Sequence, residues 1–291
     1  MNDPFGGYQP QVPLRTHLTM QVGDLSCQLN MPVATRSQYV DGVETTSRLA
    51  PSAPVGVLRV DDYPGCPADW ARSNHTRASY FFAAQPGHMV WFDLRACEQN
   101  THHVAALISA QGINAITGAQ MTPPPRLEQR PAQNYIATTS VSPGRFWRDG
   151  FCGRDGQTRE FLFTEDVRRS VAAQVIGEER VNAFGIALFK SVQPKPRPAY
   201  SGYRGDGQMM GGLESMSKGM ARGGSRSMEV GAGALVSQQV EQDSSAPGFW
   251  HGAPAAVFVL YYVSAEELAA IVGHGSMPQS EGFIPGPVGN P

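Results

Sequence analysis

The sequence predicts a mainly β protein: an antiparallel β-sandwich-like body with two short helices and a Gly/Met-rich insert. Three observations carry this expectation. Charged residues make up only 16% of the 291, and 32 Gly and 23 Pro fill much of the difference. That balance favours strands, turns and irregular segments over long helices. Hydrophobic residues, at 41%, suffice for a packed core and are too many for wholesale disorder. Finally, apolar and polar residues alternate in segment after segment, the period of a half-buried strand.

The elements follow in order. His17, Thr19 and Gln21 alternate with Leu18, Met20 and Val22, and Gly23-Asp24 turns the chain into a second strand, Leu25–Asn30. Val55–Val60 is a short apolar strand, and 61–76 is a loop. Ser79–Ala84 and Met89–Leu94 read as a hairpin around Gln85-Pro86-Gly87-His88. His103–Ala110 is almost unbroken in its apolar character and is expected to be buried on both faces. Met121–Pro131 is too rich in proline for regular structure. Further strands are expected at Asn134–Thr139, Arg145–Phe151, Thr158–Thr164 and Ala183–Lys190.

A helix is expected after Thr164, its N-cap. Glu165 and Asp166 suit the positive end of its dipole, Val167, Val171 and Val175 share one face, and Gly177 stops it. From 194 to about 227 the chain is Gly, Met, Pro, Ser and Arg without periodicity, which marks an insert. Strands return at Met228–Glu241 and Ala255–Val263, expected to pair as a second hairpin. Ser264 and Glu267 then form a capping box that opens a short helix ending at Gly273. The plan is an arm at 1–14, one β-rich domain at 15–273 containing the insert, and a tail at 274–291.

Several blocks resemble a family of uncharacterised bacterial proteins with no known activity. They are Tyr63–Trp70, Trp91–Leu94, Asn100–Ala105, Gln111–Gly118, Gln133–Thr139 and Phe163–Gly177. The resemblance spans about 55 to 190 and implies that this region is one structural unit. Some relatives in that family carry a cysteine-rich, zinc-ribbon-like insertion before the segment matching Gln133-Asn134-Tyr135. Met121–Arg130 stands there in this chain and has no Cys or His, so the resemblance implies that this zinc site is missing.

Charge and hydropathy exclude some classes of function. With 23 basic and 25 acidic residues and no long run of either sign, no broad basic face is available for nucleic acid. The longest apolar run, Ala255–Val263, is far short of the roughly 20 residues that span a bilayer. Met1–Leu14 has neither a basic start nor an apolar stretch, so no secretory signal is expected, and a cytoplasmic location is the default. Cys27, Cys66, Cys97 and Cys152 form no CxxC pair and are expected as reduced thiols; export would allow two disulfides in any of three pairings.

No catalytic or cofactor motif stands out. A zinc site is the cofactor call that the residues raise, from Cys66, Cys97, His102 and His103, since thiolate and imidazole suit that ion. Against it, adjacent histidines in a strand point to opposite faces. Cys66 or Cys97 with His102 or His88 could also form a nucleophile and base. Asp61-Asp62 is a carboxylate pair without an evident structural role. Trp70, Trp91, Trp147 and Trp250 could stack on sugars, although Trp91 and Trp147 read better as core anchors. The expectation is therefore a non-enzymatic structural or interaction protein. It would be a subunit of a larger homo- or hetero-assembly, with contacts through the tails and 201–248. The alternatives are a hydrolase or metal-dependent enzyme centred on Cys97, His102 and His103, and a carbohydrate-binding module.

Overall fold

Alternation along the chain becomes two β-sheets packed face to face. The computed structural model describes residues 16–23, 25–32, 39–40, 43–44, 52–96, 101–139, 145–177, 182–195, 228–236, 238 and 240–273. The first strands are β1 (Met20–Val22), β2 (Leu25–Pro32), β3 (Tyr39–Val40), β4 (Val43–Glu44), β5 (Ser52–Pro54) and β6 (Leu58–Arg59). The middle ones are β7 (Arg77–Ala83), β8 (Met89–Ala96), β9 (His102–Ala110), β10 (Ile113–Asn114), β11 (Ile136–Ala137), β12 (Arg145–Arg148), β13 (Gly150–Cys152) and β14 (Thr158–Thr164). The last are β15 (Ala183–Pro194), β16 (Glu229–Leu235) and β17 (Ala256–Val263), and the helices are α1 (Val171–Ile176) and α2 (Ala265–Gly273).

The first sheet runs β1-β2-β8-β14-β13, with β5 also on β2, β12 on β8 and β16 on β14. The second runs β10-β9-β15-β17-β7-β6, with β11 beside β9. Pairing is antiparallel except between β17 and β7, which run parallel from Val257↔Arg77 to Val263↔Ala83. Strands β3 and β4 pair separately.

Both expected hairpins are corrected. β7 lies in the second sheet and β8 in the first, so 85–88 is a corner between sheets. β16 joins β14, whereas β17 lies between β15 and β7. In each case the inward residues must face one common core from opposite sides, and a hairpin would have put both strands on the same side. Phe82, Phe92, Phe161, Phe163, Phe184, Phe258 and Tyr262 fill that core. Phe184 is its hub, with ring centroids 5.0 Å from Phe92, 5.2 Å from Phe161 and 5.2 Å from Tyr262. Edge-on aromatic contacts of this kind stabilise beyond the area they bury.

The second sheet is covered on its outer face as well. β9 sends Val104, Ala106, Ile108 and Ala110 inward, and Ala105 and Leu107 outward under Tyr135 and Phe189. The expectation of burial on both faces holds for this strand. At the other side of the sheet, Phe81 and Tyr261 lie under Trp70 and the Leu268, Ile271 and Val272 face of α2. α2 begins with the expected box: Ser264 N–H donates to Glu267 Oε2 (2.9 Å) and Glu267 N–H to Ser264 Oγ (3.1 Å).

α1 starts later than expected. Asp166 caps a 3-10 turn at Val167–Arg169, and Ser170 caps the helix by accepting from Ala173 N–H (3.1 Å). Arg145–Phe151 breaks at Asp149. There β8 and β14 diverge, and the chain passes from pairing with β8 to pairing with β14. The passage is tight enough that a side chain at Gly150 would overlap the Arg159 carbonyl oxygen. Trp91 and Trp147 are not core anchors. Both project from the outer face of the first sheet, with Trp147 44% exposed. Among the described residues no helix is long and apolar enough to cross a membrane. The insert from 196 to 227 and both termini lie outside the described residues.

Candidate functional site

The residues singled out for metal or nucleophilic chemistry are dispersed. Cys66 is buried in the cluster with Phe81 and Tyr261, near β6 and β7. His103 lies on the outer face of β9, where its N–H donates to Ser191 Oγ (3.1 Å) and its ring sits 5.8 Å from Phe249. β9 and β7 are three strand spacings apart, roughly 14 Å at the spacing of β-strands. His102 points to the opposite face of β9, its Nδ1 3.1 Å from Thr101 Oγ1. Cys97 lies outside the described residues. Among those described, no three of His, Cys, Asp and Glu are grouped to hold a metal.

The thiols are not activated. Burial pushes Cys66 up to about 11 and moves Cys27 and Cys152 upward too, so all three are protonated at neutral pH. Burial and then the Lys195 ammonium hold His103 below the usual histidine range, while Asp243 pulls the other way. Asp61 has a local role after all, accepting from Ser73 N–H (3.1 Å) and Arg59 Nε (3.2 Å) to pin its loop. Trp70 and Trp250 lie in separate clusters on the second sheet, and Trp91 and Trp147 on the first. The four therefore make no common platform.

Three polar assemblies went unseen in the sequence. The first centres on Asp243, 2% exposed. Its carboxylate accepts from Tyr135 Oη (2.6 Å), Trp250 Nε1 (2.8 Å), Ser245 Oγ (2.8 Å) and Thr139 Oγ1 (2.9 Å). Burial works against the charge, but these hydrogen bonds outweigh it and hold Asp243 below the usual carboxylate range. With Ser245 N–H (3.0 Å) as a fifth donor, this carboxylate is a fastener. It ties 243–250 to the 133–139 segment over the outer face of β9. The neighbouring groove of about 690 Å³ is walled by Pro124, Pro125, Pro247 and Pro254; Tyr135 and Trp250 on its lining are used by Asp243, and Arg126, Gln129 and His251 line it as well.

The second assembly lies at the β12/β13 fork. Arg148 is 1% exposed and donates to the Ala115 carbonyl (2.7 Å) and Gln238 Oε1 (3.1 Å), leaving Nε without a partner. Asp149, beside it, has an unpartnered Oδ1. Burial raises its carboxyl to about 6, with Glu160 adding to the rise and Arg148 opposing it. These charges are enclosed, with Arg148 1% and Asp149 7% exposed.

The third assembly opens to solvent. Gln111 and Gly112 form the two-residue turn between β9 and β10 with φ of 51° and 77°, the positive values of a type I′ hairpin. Gln111 is the only non-glycine with positive φ among the described residues. Its side chain explains the choice: Oε1 accepts from Ala172 N–H in α1 (3.0 Å), and Nε2 donates to Asn182 Oδ1 (3.0 Å) and Glu229 Oε2 (2.7 Å). Asn182 Nδ2 donates to Glu229 Oε1 (3.1 Å). Tyr262 Oη is enclosed beside Gln111, Glu229 and Val230, and burial, with the Glu229 charge adding to it, raises its phenol well above the usual range.

Asn182, Met228 and Tyr262 form the inner wall of a cleft of about 510 Å³ at the end of the second sheet. Trp70, Tyr261 and Ile271 form its apolar side, and Asp69 and Glu267 stand among its lining residues. Trp70 stacks on Tyr261 at 4.2 Å between centroids and 1° between planes. Tyr261 is itself fixed, because its Oη accepts from Ala71 N–H (2.7 Å). A volume of this size with apolar walls and a few convergent polar groups is the usual form of a small-ligand site. The one sequence signal for it was the Gln-Gly turn, because Trp70, Asn182, Glu229 and Tyr262 are far apart in the chain. The chain matches no known family model, no curated protein and no solved structure.

Proposed function

We propose that this chain is a non-enzymatic interaction protein whose β-sandwich presents the cleft between Trp70, α2 and Tyr262 to a ligand or a partner's side chain. The observation that carries the reading is the coupling of an open, aromatic-walled cleft to a wall fixed from behind, where Asn182 is held by Glu229 and Gln111. Rigid walls lose little freedom on binding, which favours recognition. The described thiols and His103 offer no activated nucleophile: Cys66 packs behind the apolar side of the cleft with Trp70, Tyr261 and Ile271 as a protonated thiol. A role as a subunit of a larger assembly belongs to the same reading, with the cleft receiving a group from the neighbouring chain.

The test uses Met228, a buried residue on the cleft's lining, whose methyl signal reports on changes there. In protein labelled at methionine methyls, screening small polar-aromatic compounds by NMR should give hits that shift Met228 and leave Met20 and Met121 unmoved. Ala270→Trp, on the exposed face of α2 at the cleft, should abolish those shifts without unfolding the protein. Hits that map elsewhere, or compounds recovered chemically changed, would overturn the reading. Light scattering at rising concentration addresses assembly, for which a mass above that of one chain is expected. Zinc analysis of the purified protein, with Cys97→Ala as control, tests the metal-enzyme alternative.

A further inference from the structure

The charge of the cleft narrows what it can hold. Asp69 and Glu267 are on its lining, and Glu229 stands directly behind Asn182. No Lys, Arg or His is among the residues that line it. Glu267 uses one oxygen, Oε2, in the α2 capping box. Asp69 is exposed at the mouth. An anion entering here meets two carboxylates with no compensating cation on the lining. The aromatic side adds the same preference, since the face of an indole carries negative charge density and attracts cations.

We propose that the cleft selects an organic cation, an ammonium or guanidinium carried on a planar or apolar body. This rests on the reading of the cleft as the binding site. The body packs against Trp70, Met228 and Ile271. The charged head lies between Asp69 and Glu267. A metal ion is a poorer occupant, since among the described residues no three ligating side chains are grouped to hold one.

The experiment compares three probes of one shape: 2-phenylethylammonium, 2-phenylethanol and phenylacetate. Binding is followed by titration of the Met228 methyl signal. The ammonium is expected to bind about tenfold more tightly than the alcohol, and the carboxylate most weakly, with the preference shrinking as salt rises. Asp69→Asn combined with Glu267→Gln should bring the ammonium and alcohol to equal affinity. Gln still serves a capping box, so α2 is kept. A short peptide with one internal Arg forms a second arm. Binding by the peptide and not by the free amine would assign the cation to a protein side chain. Equal binding of ammonium and alcohol to the unaltered protein would sink the cation proposal and leave the cleft reading standing. Failure of all three probes and the peptide would sink both.

Discussion

Replacing Asp149 with Asn should make the protein more stable at neutral pH, and the effect should vanish in acid. Asp149 is 7% exposed at the fork where β12 leaves β8 for β14, with Oδ1 unpartnered. Burial is the main cause of its displacement from 3.8 to about 6; the Glu160 charge adds to it and Arg148 opposes it. Each factor of ten in proton affinity is about 1.4 kcal/mol, so the ionised form costs the fold roughly 3 kcal/mol. The sign follows from proton counting. The folded state binds the proton more tightly than the unfolded chain. The group's stabilisation is therefore full below 3.8, falls as pH rises toward 6, and is gone above it. An amide cannot ionise, so Asp149→Asn escapes the fall. Arg148, lowered by burial to about 10, stays charged across this window and does not confuse the comparison. The assay is urea unfolding of both proteins at several pH values from 4 to 8. The difference in unfolding free energy should be near zero at the acid end and reach about 1–3 kcal/mol in favour of the variant above pH 7, since an amide loses some of the favourable contact with Arg148. A variant less stable than the parent at neutral pH, or a difference that does not change with pH, would refute the argument.

Other substitutions test the remaining assemblies. Asp243→Asn should destabilise by about 2–4 kcal/mol at neutral pH, because it weakens charge-assisted bonds from Tyr135, Trp250, Ser245 and Thr139. Its folded carboxyl lies below the usual range, so the deficit should shrink as pH falls through that folded value, again read by urea unfolding. Phe184→Ala should cost about 3–5 kcal/mol in the same assay, since four aromatic rings lose their common neighbour. At the Gln111 turn, Gly should be tolerated better than Ala by about 1 kcal/mol: both remove the side-chain network, but only Gly relieves the positive φ. Gly150→Ala should lower the thermal midpoint sharply or prevent folding, as the Arg159 carbonyl occupies the space a methyl needs.

Alternation made the sandwich legible but not its topology. Ser79–Ala84 and Met89–Leu94 have the same pattern whether they pair in one sheet or face each other across a core, since either arrangement buries every second residue. The turn between them, Gln85-Pro86-Gly87-His88, suits a corner as well as a hairpin, and Met228–Glu241 with Ala255–Val263 had the same ambiguity. The Ser264–Glu267 box was readable because both partners lie within one turn. Ser170 was missed as a cap because Thr164, Glu165 and Asp166 form an equally good signal six residues earlier; in the structure, Asp166 spends it on the 3-10 turn. The cleft was unreadable for the same reason the topology was. Its wall exists only because β17 enters between β15 and β7 while β16 goes to the opposite sheet, bringing Tyr262 and Glu229 together from different layers. A hairpin of β16 and β17 would have kept both strands in one layer. The choice of sheet by each late strand therefore builds the site, and that choice is made by core packing rather than by any local run of residues.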